Sequence, residues 1–404
     1  MRDTPIYVFD DDAPGLAPLT DLRASFEVRC GAQTNLERIE RTLGAAANGL
    51  LPSTRLAGLV RERWPGRVAD AARLPDGDVL LVNGRLAAVE AGLVEPQGGS
   101  VVVDPAGDVV VARVAGPGAA RVIGGDVSGL RSATAEAPVL LQRPWDAVRF
   151  GQRNVVGDAA FLAAESSAEG AADGRSGGVQ SVGDHPLRLG AGVTVFPGVV
   201  FDLTSGPIVI GDRSTVRPNA VLAGPLVLGA DNTVSDAAQL RGPVATGPHV
   251  KLGGEVKGVI VQGYSNKAHG GFLGDSWVGE WVNLGAETVG SNLLNTYGGV
   301  KSAARPGADA EPTGLGFFGS VVGDHVKTAI GTRLMTGSVA RTGVMWAATG
   351  ALAGCVEGFS WVTDAGAGPY RFEKFLEVAR AMMGRRGLEP SGAYVDALRA
   401  VSGR

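Results

Sequence analysis

One apolar side chain at every sixth residue is the feature that most restricts what this chain can fold into. Ile210, Val216, Leu222, Leu228, Val234 and Leu240 keep that step, and Thr246 and Leu252 continue it. Leu189, Val195 and Phe201 show it earlier. Phe272, Val278 and Leu284 resume it, and Val322, Thr328, Leu334, Ala340, Trp346 and Leu352 carry it on. A helix does not repeat every six residues, and a simple strand repeats every two. Glycine often follows the register residue, at Gly190, Gly211, Gly229, Gly285 and Gly323. Period six with glycine at the corners marks a hexapeptide β-helix, and the chain's 62 glycines fit so turn-rich a structure.

Three hexapeptides make one triangular coil. Each coil buries only one apolar side chain per face and depends on its neighbours for a core. The pattern resembles the left-handed parallel β-helix, expected here over residues 185–365. Lys301 to Thr313 breaks the register and is expected to project as a loop. Tyr370 to Arg385 carries Phe372, Phe375, Leu376, Ala379 and Met382 on one stripe, which predicts an amphipathic helix. That helix is expected to cover the open end of the solenoid, with a second short helix after Ser391, inside a helical segment over 366–404.

The first part of the chain reads differently. Ile6 to Phe9 and Val79 to Val82 are short apolar runs, each ended by polar residues, as buried strands are. Val101–Val103 and Val109–Val111 read as paired strands around a Pro-Ala-Gly-Asp turn. Leu36, Ile39 and Leu43 predict a helix with Asn35 as its cap. Mixed strands and helices predict an α/β domain over 1–162. Residues 163–184 are Ala, Gly, Ser and charge with no apolar face, the composition of a linker.

Candidate chemistry concentrates between Gly253 and Lys301, which holds Glu255, Lys257, Asn266, Lys267, His269, Asp275, Asn283 and Asn292. A lone histidine is most often a surface residue, and asparagines at coil corners serve left-handed turns or ladders. The order of motifs points further. Glu255-Val-Lys257 lies fourteen residues before His269, Asn266 to Asp275 reads NKAHGGFLGD, and Val282 to Thr288 reads VNLGAET. These resemble the acetyltransferase domain of the bifunctional bacterial family N-acetylglucosamine-1-phosphate uridylyltransferase/glucosamine-1-phosphate acetyltransferase, over roughly residues 185–360. Asn292 stands at the spacing of that family's last asparagine. FDD, PLTDLR, Val82-Asn83-Gly84 and Arg143 to Asp146 (RPWD) are closer still to sugar nucleotidyltransferases with a shortened N-terminal domain. Two departures stand out: Phe272 where the family has tyrosine, and Glu287 where it has glycine.

The resemblance implies roles. An amine that is protonated at neutral pH cannot attack a thioester, so His269 would be the general base and Glu255 would orient it. Arg241 and Lys257 would hold a phosphate, and Asn283, Asn292 and Phe272 would line the acceptor. Backbone N–H groups at Gly285 and Ala286 would meet the thioester oxygen of acetyl-CoA. In the first domain, Asp10, Asp11, Gly15, Arg23 and Asn83 are the candidates for a nucleoside triphosphate with Mg²⁺. The triphosphate loop is reduced to DDDAPGLAPLT, and three acids in a row also suit a solvated loop. The resemblance also implies a homotrimer, with the donor groove between subunits.

Other classes are disfavoured. A net charge of −4 gives nucleic acid no basic face. Two distant cysteines, Cys30 and Cys355, suit a reducing cytoplasm rather than a disulfide framework. No secretory signal and no membrane span are expected, and no His/Cys pattern for a metal is present. The sequence therefore predicts acetyl-CoA-dependent N-acetylation of an amino-sugar phosphate, joined to a nucleotidyltransferase-like first domain whose own nucleotidyl transfer is expected to be weak or absent. The alternatives are a sugar-1-phosphate nucleotidyltransferase whose β-helix only trimerises it, and a non-catalytic scaffold or sensor.

Overall fold

The structure is a computed structural model describing residues 4–89, 93, 95–165 and 177–403. The chain divides into two compact units. One comprises the residues up to Val28, Gln33–Gln142 and Ser391–Leu398; the other comprises Arg29–Ala32, Arg143–Pro390 and the residues from Arg399.

The first unit is built on a six-stranded sheet. Its strands are β1 (Ile6–Phe9), β2 (Gly49–Leu51), β3 (Asp78–Asn83), β4 (Ser100–Val103), β5 (Val109–Ala115) and β6 (Arg131–Thr134), in the order β2-β1-β3-β5-β4-β6. β1 and β3 pair in parallel and β3 and β5 antiparallel, so the expected apolar runs do form the sheet's centre. The helix α1 (Asn35–Leu43) starts at the residue expected from sequence to be its cap, so the cap lies one residue earlier. Thr34 is the N-cap, its hydroxyl accepting from the Glu37 N–H at 3.2 Å while Glu37 accepts from the Thr34 N–H at 2.7 Å. Asn35 is instead buried and donates to the Ser25 and Gly84 carbonyls.

The second unit is a three-sided parallel β-solenoid of the left-handed β-helix class, with a C-terminal helix, as the period-six pattern predicts. Its first face holds six strands, from Gln180–Val182 to Phe272–Gly274. The second holds nine, from Leu187–Leu189 to Cys355–Val356, and the third runs from Thr194–Val195 to Asn266–Lys267. The six-step residues stack inward as one core: Leu222 on Leu240 on Val256, and Val216 on Val234 on Leu252. Helix Asp146–Glu165 runs into the stretch read as a linker, of which residues 166–176 lie outside the described residues.

Phe272 was expected in the inward register, and the structure corrects this. The steps Leu222→Leu240, Leu240→Val256 and Val256→Leu273 are 18, 16 and 17 residues, so Leu273 points inward and Phe272 outward. The cause is a set of shortened turns: the inward step Leu252→Val256 takes four residues, and Val256→Val261 and Leu273→Val278 take five each instead of six. Residues 235–238 turn one corner, but Gly253 and Gly254 alone turn the next. Gly254 has φ +67°, and a Cβ on Gly253 would lie 2.2 Å from the Ala268 carbonyl oxygen. Only glycine allows so tight an approach.

The corner between the second and third faces carries a column of rings. His249, Tyr264, Trp281 and His325 all adopt positive φ, a costly conformation for such residues. They stack with centroids 5.1, 4.6 and 6.4 Å apart. The C-terminal helix Phe372–Gly384 packs on this column through Phe375, 5.3 Å from His325 and 4.7 Å from Phe359. It therefore lies along a corner rather than over the open end. Strand Gly366–Pro369 pairs antiparallel with Ser360–Thr363 at the end of the third-face ladder, covering an edge that would leave backbone groups unpaired.

Candidate active site

His269 stands at the corner 268–271, which joins the third face to the first. That corner is two residues longer than the Gly253-Gly254 corner beneath it, so His269 projects and is exposed. Lys267 fixes the corner from inside. Its register partner is Leu252, so it occupies a core position, and it is only 5% exposed. Its ammonium donates to the carbonyls of Gly253 (2.9 Å), His269 (2.9 Å) and Gly270 (3.2 Å). Burial lowers its pKa to about 8, against an opposing pull from Glu287. Glu287 itself reaches the corner: a Cβ on Gly270 would lie 2.3 Å from its Oε1. Sequence reasoning treated Glu287 only as a departure and gave Lys267 no role; a lysine at an inward register position was the available signal.

A cavity of about 320 Å³ opens beside His269, lined also by Lys251, Asn266, Asn283, Gly285, Ala286 and Ile330. Asn283 bridges Asn266 and Lys327 in one outward row of the third face, and Lys251 precedes them. The Gly285 N–H donates to the Thr328 hydroxyl at 2.9 Å, so it does not face a ligand as expected. The Ala286 N–H has no partner among the described residues. The wall thus fits a carbonyl oxygen of a thioester at one donor rather than two.

The remaining predicted residues lie on the first face. Arg241, Lys257 and Gly274 share one row; Glu255 and Phe272 share another. Glu255 pairs with Arg241 at 3.3 Å and makes no contact with the imidazole, so the orienting role expected for it is not seen. Arg241 borders a separate hollow of about 540 Å³. Asn292 donates to Asp275, which also accepts from Gln152, so its carboxamide is held within the fold. The structure therefore brings His269, Asn283, Gly285 and Ala286 together and sets Arg241, Glu255, Lys257, Phe272 and Asn292 on the adjoining face.

Lys327 follows Asn283 in the third-face row. Burial pushes its pKa down to about 8 from an ordinary 10.5, and its Nζ makes one long hydrogen bond, 3.3 Å to the His325 carbonyl. A charge so placed costs stability. Lys327→Met is expected to raise unfolding free energy by about 1–3 kcal/mol at pH 7. Between about pH 8 and 10.5 the unfolded chain keeps a proton that folded Lys327 releases. Wild-type stability gains there from this group, and the gap to the variant narrows. Denaturant melts across that range check both signs.

In the first unit the nucleotide candidates are mostly engaged. Asp11 takes Arg85 Nη2 at 2.6 Å, Arg85 Nε at 2.9 Å and Asn83 Nδ2 at 2.9 Å. Arg85 also meets Asp108 at 3.1 Å. Asp12 pairs with Arg55 at 2.9 Å. Asp10 is buried, and desolvation raises its pKa. Asp11 and Asp12 are thus each engaged by an arginine, and among the described residues no group of three or more His, Cys, Asp or Glu side chains placed to hold a metal ion is found. Arg23 is 1% exposed and donates to the Leu19 carbonyl, and Asn83 is fully buried, so neither reaches a surface phosphate. Gly15 sits half-exposed in a turn. No helix among the described residues is long and apolar enough to cross a membrane.

Fold and site together define a two-unit protein in which an α/β unit and a β-solenoid share one chain, with the groove on the solenoid. Residues 6–167 match the model of a family described as sugar nucleotidyl transferase. Among solved structures, a UDP-N-acetylglucosamine acyltransferase from Arabidopsis is similar at 11% identity, over 52% of this chain and 77% of that one, with a TM-score of 0.23. Comparison with curated proteins gives no match.

Proposed function

We propose that this chain is a sugar-phosphate transferase whose solenoid moves an acetyl group from acetyl-CoA to the amine of an amino-sugar phosphate. The carrying observation is the groove: an imidazole free of hydrogen bonds among the described residues, facing a cavity whose wall offers the unpartnered Ala286 N–H. The acceptor ammonium gives one proton to solvent; the neutral amine nitrogen then bonds to the acyl carbon as His269 removes a second proton from that nitrogen, the carbon–sulfur bond breaks, and the proton held by His269 passes to the leaving thiolate. Ala286 steadies the oxygen that gains charge. Arg241 and Lys257 hold the acceptor's phosphate from the adjoining face. The match over 6–167 supports sugar-related transfer. It equally favours a second reading, nucleotidyl transfer on a solenoid that only trimerises. Titration calorimetry separates these: acetyl-CoA binding is expected for the first reading, nucleoside triphosphate binding alone for the second, and neither for a scaffold or sensor.

The assembly we propose is a homotrimer of the 41.2 kDa chain. Ile330, which lines the His269 cavity, is 79% exposed, and Tyr297 is 81% exposed. Large apolar side chains of this kind suit a face between copies. Light scattering at micromolar concentration is expected to give three times the chain mass; a monomer would remove a groove shared between subunits.

A further inference from the structure

A second cavity, of about 510 Å³, continues the third-face groove beneath the C-terminal helix. It shares Lys251, Asn266 and Asn283 with the His269 cavity, so the two adjoin. Its lining brings together four cations: Lys251, Lys327, Arg385 and Arg386, with no carboxylate among the lining residues. None of the four forms an ion pair among the described residues. Arg386 is held by a bond of 3.2 Å to Asn266 Oδ1, which aims its guanidinium into the cavity mouth. The carboxylates Glu280 and Asp231 are felt at Tyr264 on the cavity wall.

Such an arrangement is unfavourable when empty. Like charges converge, and Lys327 is desolvated without an answering anion. Proteins keep such groups where a ligand supplies the missing charge. Two arginines and two lysines suit a phosphoryl group, guanidinium as a planar fork and ammonium as a point charge. We propose that this pocket is a binding site for a phosphate or pyrophosphate group, clamped between Lys327 on the solenoid and Arg385–Arg386 after the C-terminal helix. It deepens the acyl-transfer reading and rests on it in one respect: the phosphate belongs to a substrate whose reactive end lies at His269. That substrate is either the sugar phosphate or the acyl carrier, since both carry phosphate.

The test uses inorganic pyrophosphate as probe on the full-length protein. Titration calorimetry of wild type, Lys327→Met and Arg386→Gln is expected to show one binding component weakened at least tenfold in each variant. Lys327→Met keeps the side chain's bulk without the charge, and Arg386→Gln lies outside the core, so both are expected to fold. Any component from the first unit stays equal in all three. In steady-state assays, a raised KM for the sugar phosphate or for the acyl donor, but not both, identifies which one brings the phosphate. If wild type transfers no acyl group yet binds pyrophosphate in a Lys327-dependent way, the pocket stands and the acyl-transfer reading falls. Isotherms of both variants that superimpose on wild type, or no saturable binding by wild type, overturn the proposal.

Discussion

His269→Ala is expected to lower kcat by about 10²–10⁴-fold, the usual cost of removing a positioned general base. The fold is expected to survive, because His269 is exposed at a corner and its backbone is held by Lys267, not by its own ring. A loss in kcat at unchanged acceptor KM marks an interaction made in the transition state. Lys257→Ala is expected to behave oppositely, raising the acceptor's KM with kcat little changed. Histidine controls need choosing by structure. His325 is 1% exposed and packed between Trp281 and Phe375, so its loss disturbs the ring column whatever the chemistry. His185 is exposed and outside the groove, and His185→Ala is the cleaner comparison. If His269→Ala acetylates as fast as wild type, this imidazole is not the base.

Asp11→Ala is expected to cost about 3–5 kcal/mol of stability, because it strips the chief partner from a buried cation. Arg85 is 2% exposed at its side chain. Burial alone would lower its pKa, and Asp11 with Asp108 outweighs that and holds it above the ordinary value. Asp108, Gln142 and the Leu141 carbonyl remain in the variant, which favours the lower end of the range. Removing both partners of the pair by Asp11→Ala/Arg85→Met is expected to cost less than the single change. A melt in which Asp11→Ala matches wild type, together with Mg²⁺-dependent release of pyrophosphate from UTP that the same change abolishes, would return the acidic cluster to a metal role.

Much of the solenoid was legible because its core repeats. The inward side chains recur at a spacing no other architecture uses, and glycines mark the corners. The first unit's strands were legible as short apolar runs, and the T-x-x-E box before α1 was readable but passed over in favour of Asn35. What escaped was set by coil length. The Gly253-Gly254 corner shortens one coil by two residues, and the five-residue steps Val256→Val261 and Leu273→Val278 shift the register further, which puts Lys267 and Leu273, not Phe272, in the core. Motif order placed Glu255, Lys257 and His269 in one list, yet three faces separate residues that are close in sequence. The cation pocket was invisible because Lys251, Lys327, Arg385 and Arg386 are scattered and meet only when coils stack and the C-terminal helix packs along the ring column.

The measurement that bears most directly on the proposed activity is a paired assay with glucosamine-1-phosphate, acetyl-CoA and UTP, following free thiol and pyrophosphate separately. The proposed activity predicts thiol release that depends on the amino sugar and is lost in His269→Ala, with weak or absent pyrophosphate release, since Asp11 and Asp12 are committed to Arg85 and Arg55. Rapid pyrophosphate release with no acceptor-dependent thiol would contradict it and leave the solenoid as a scaffold for the first unit.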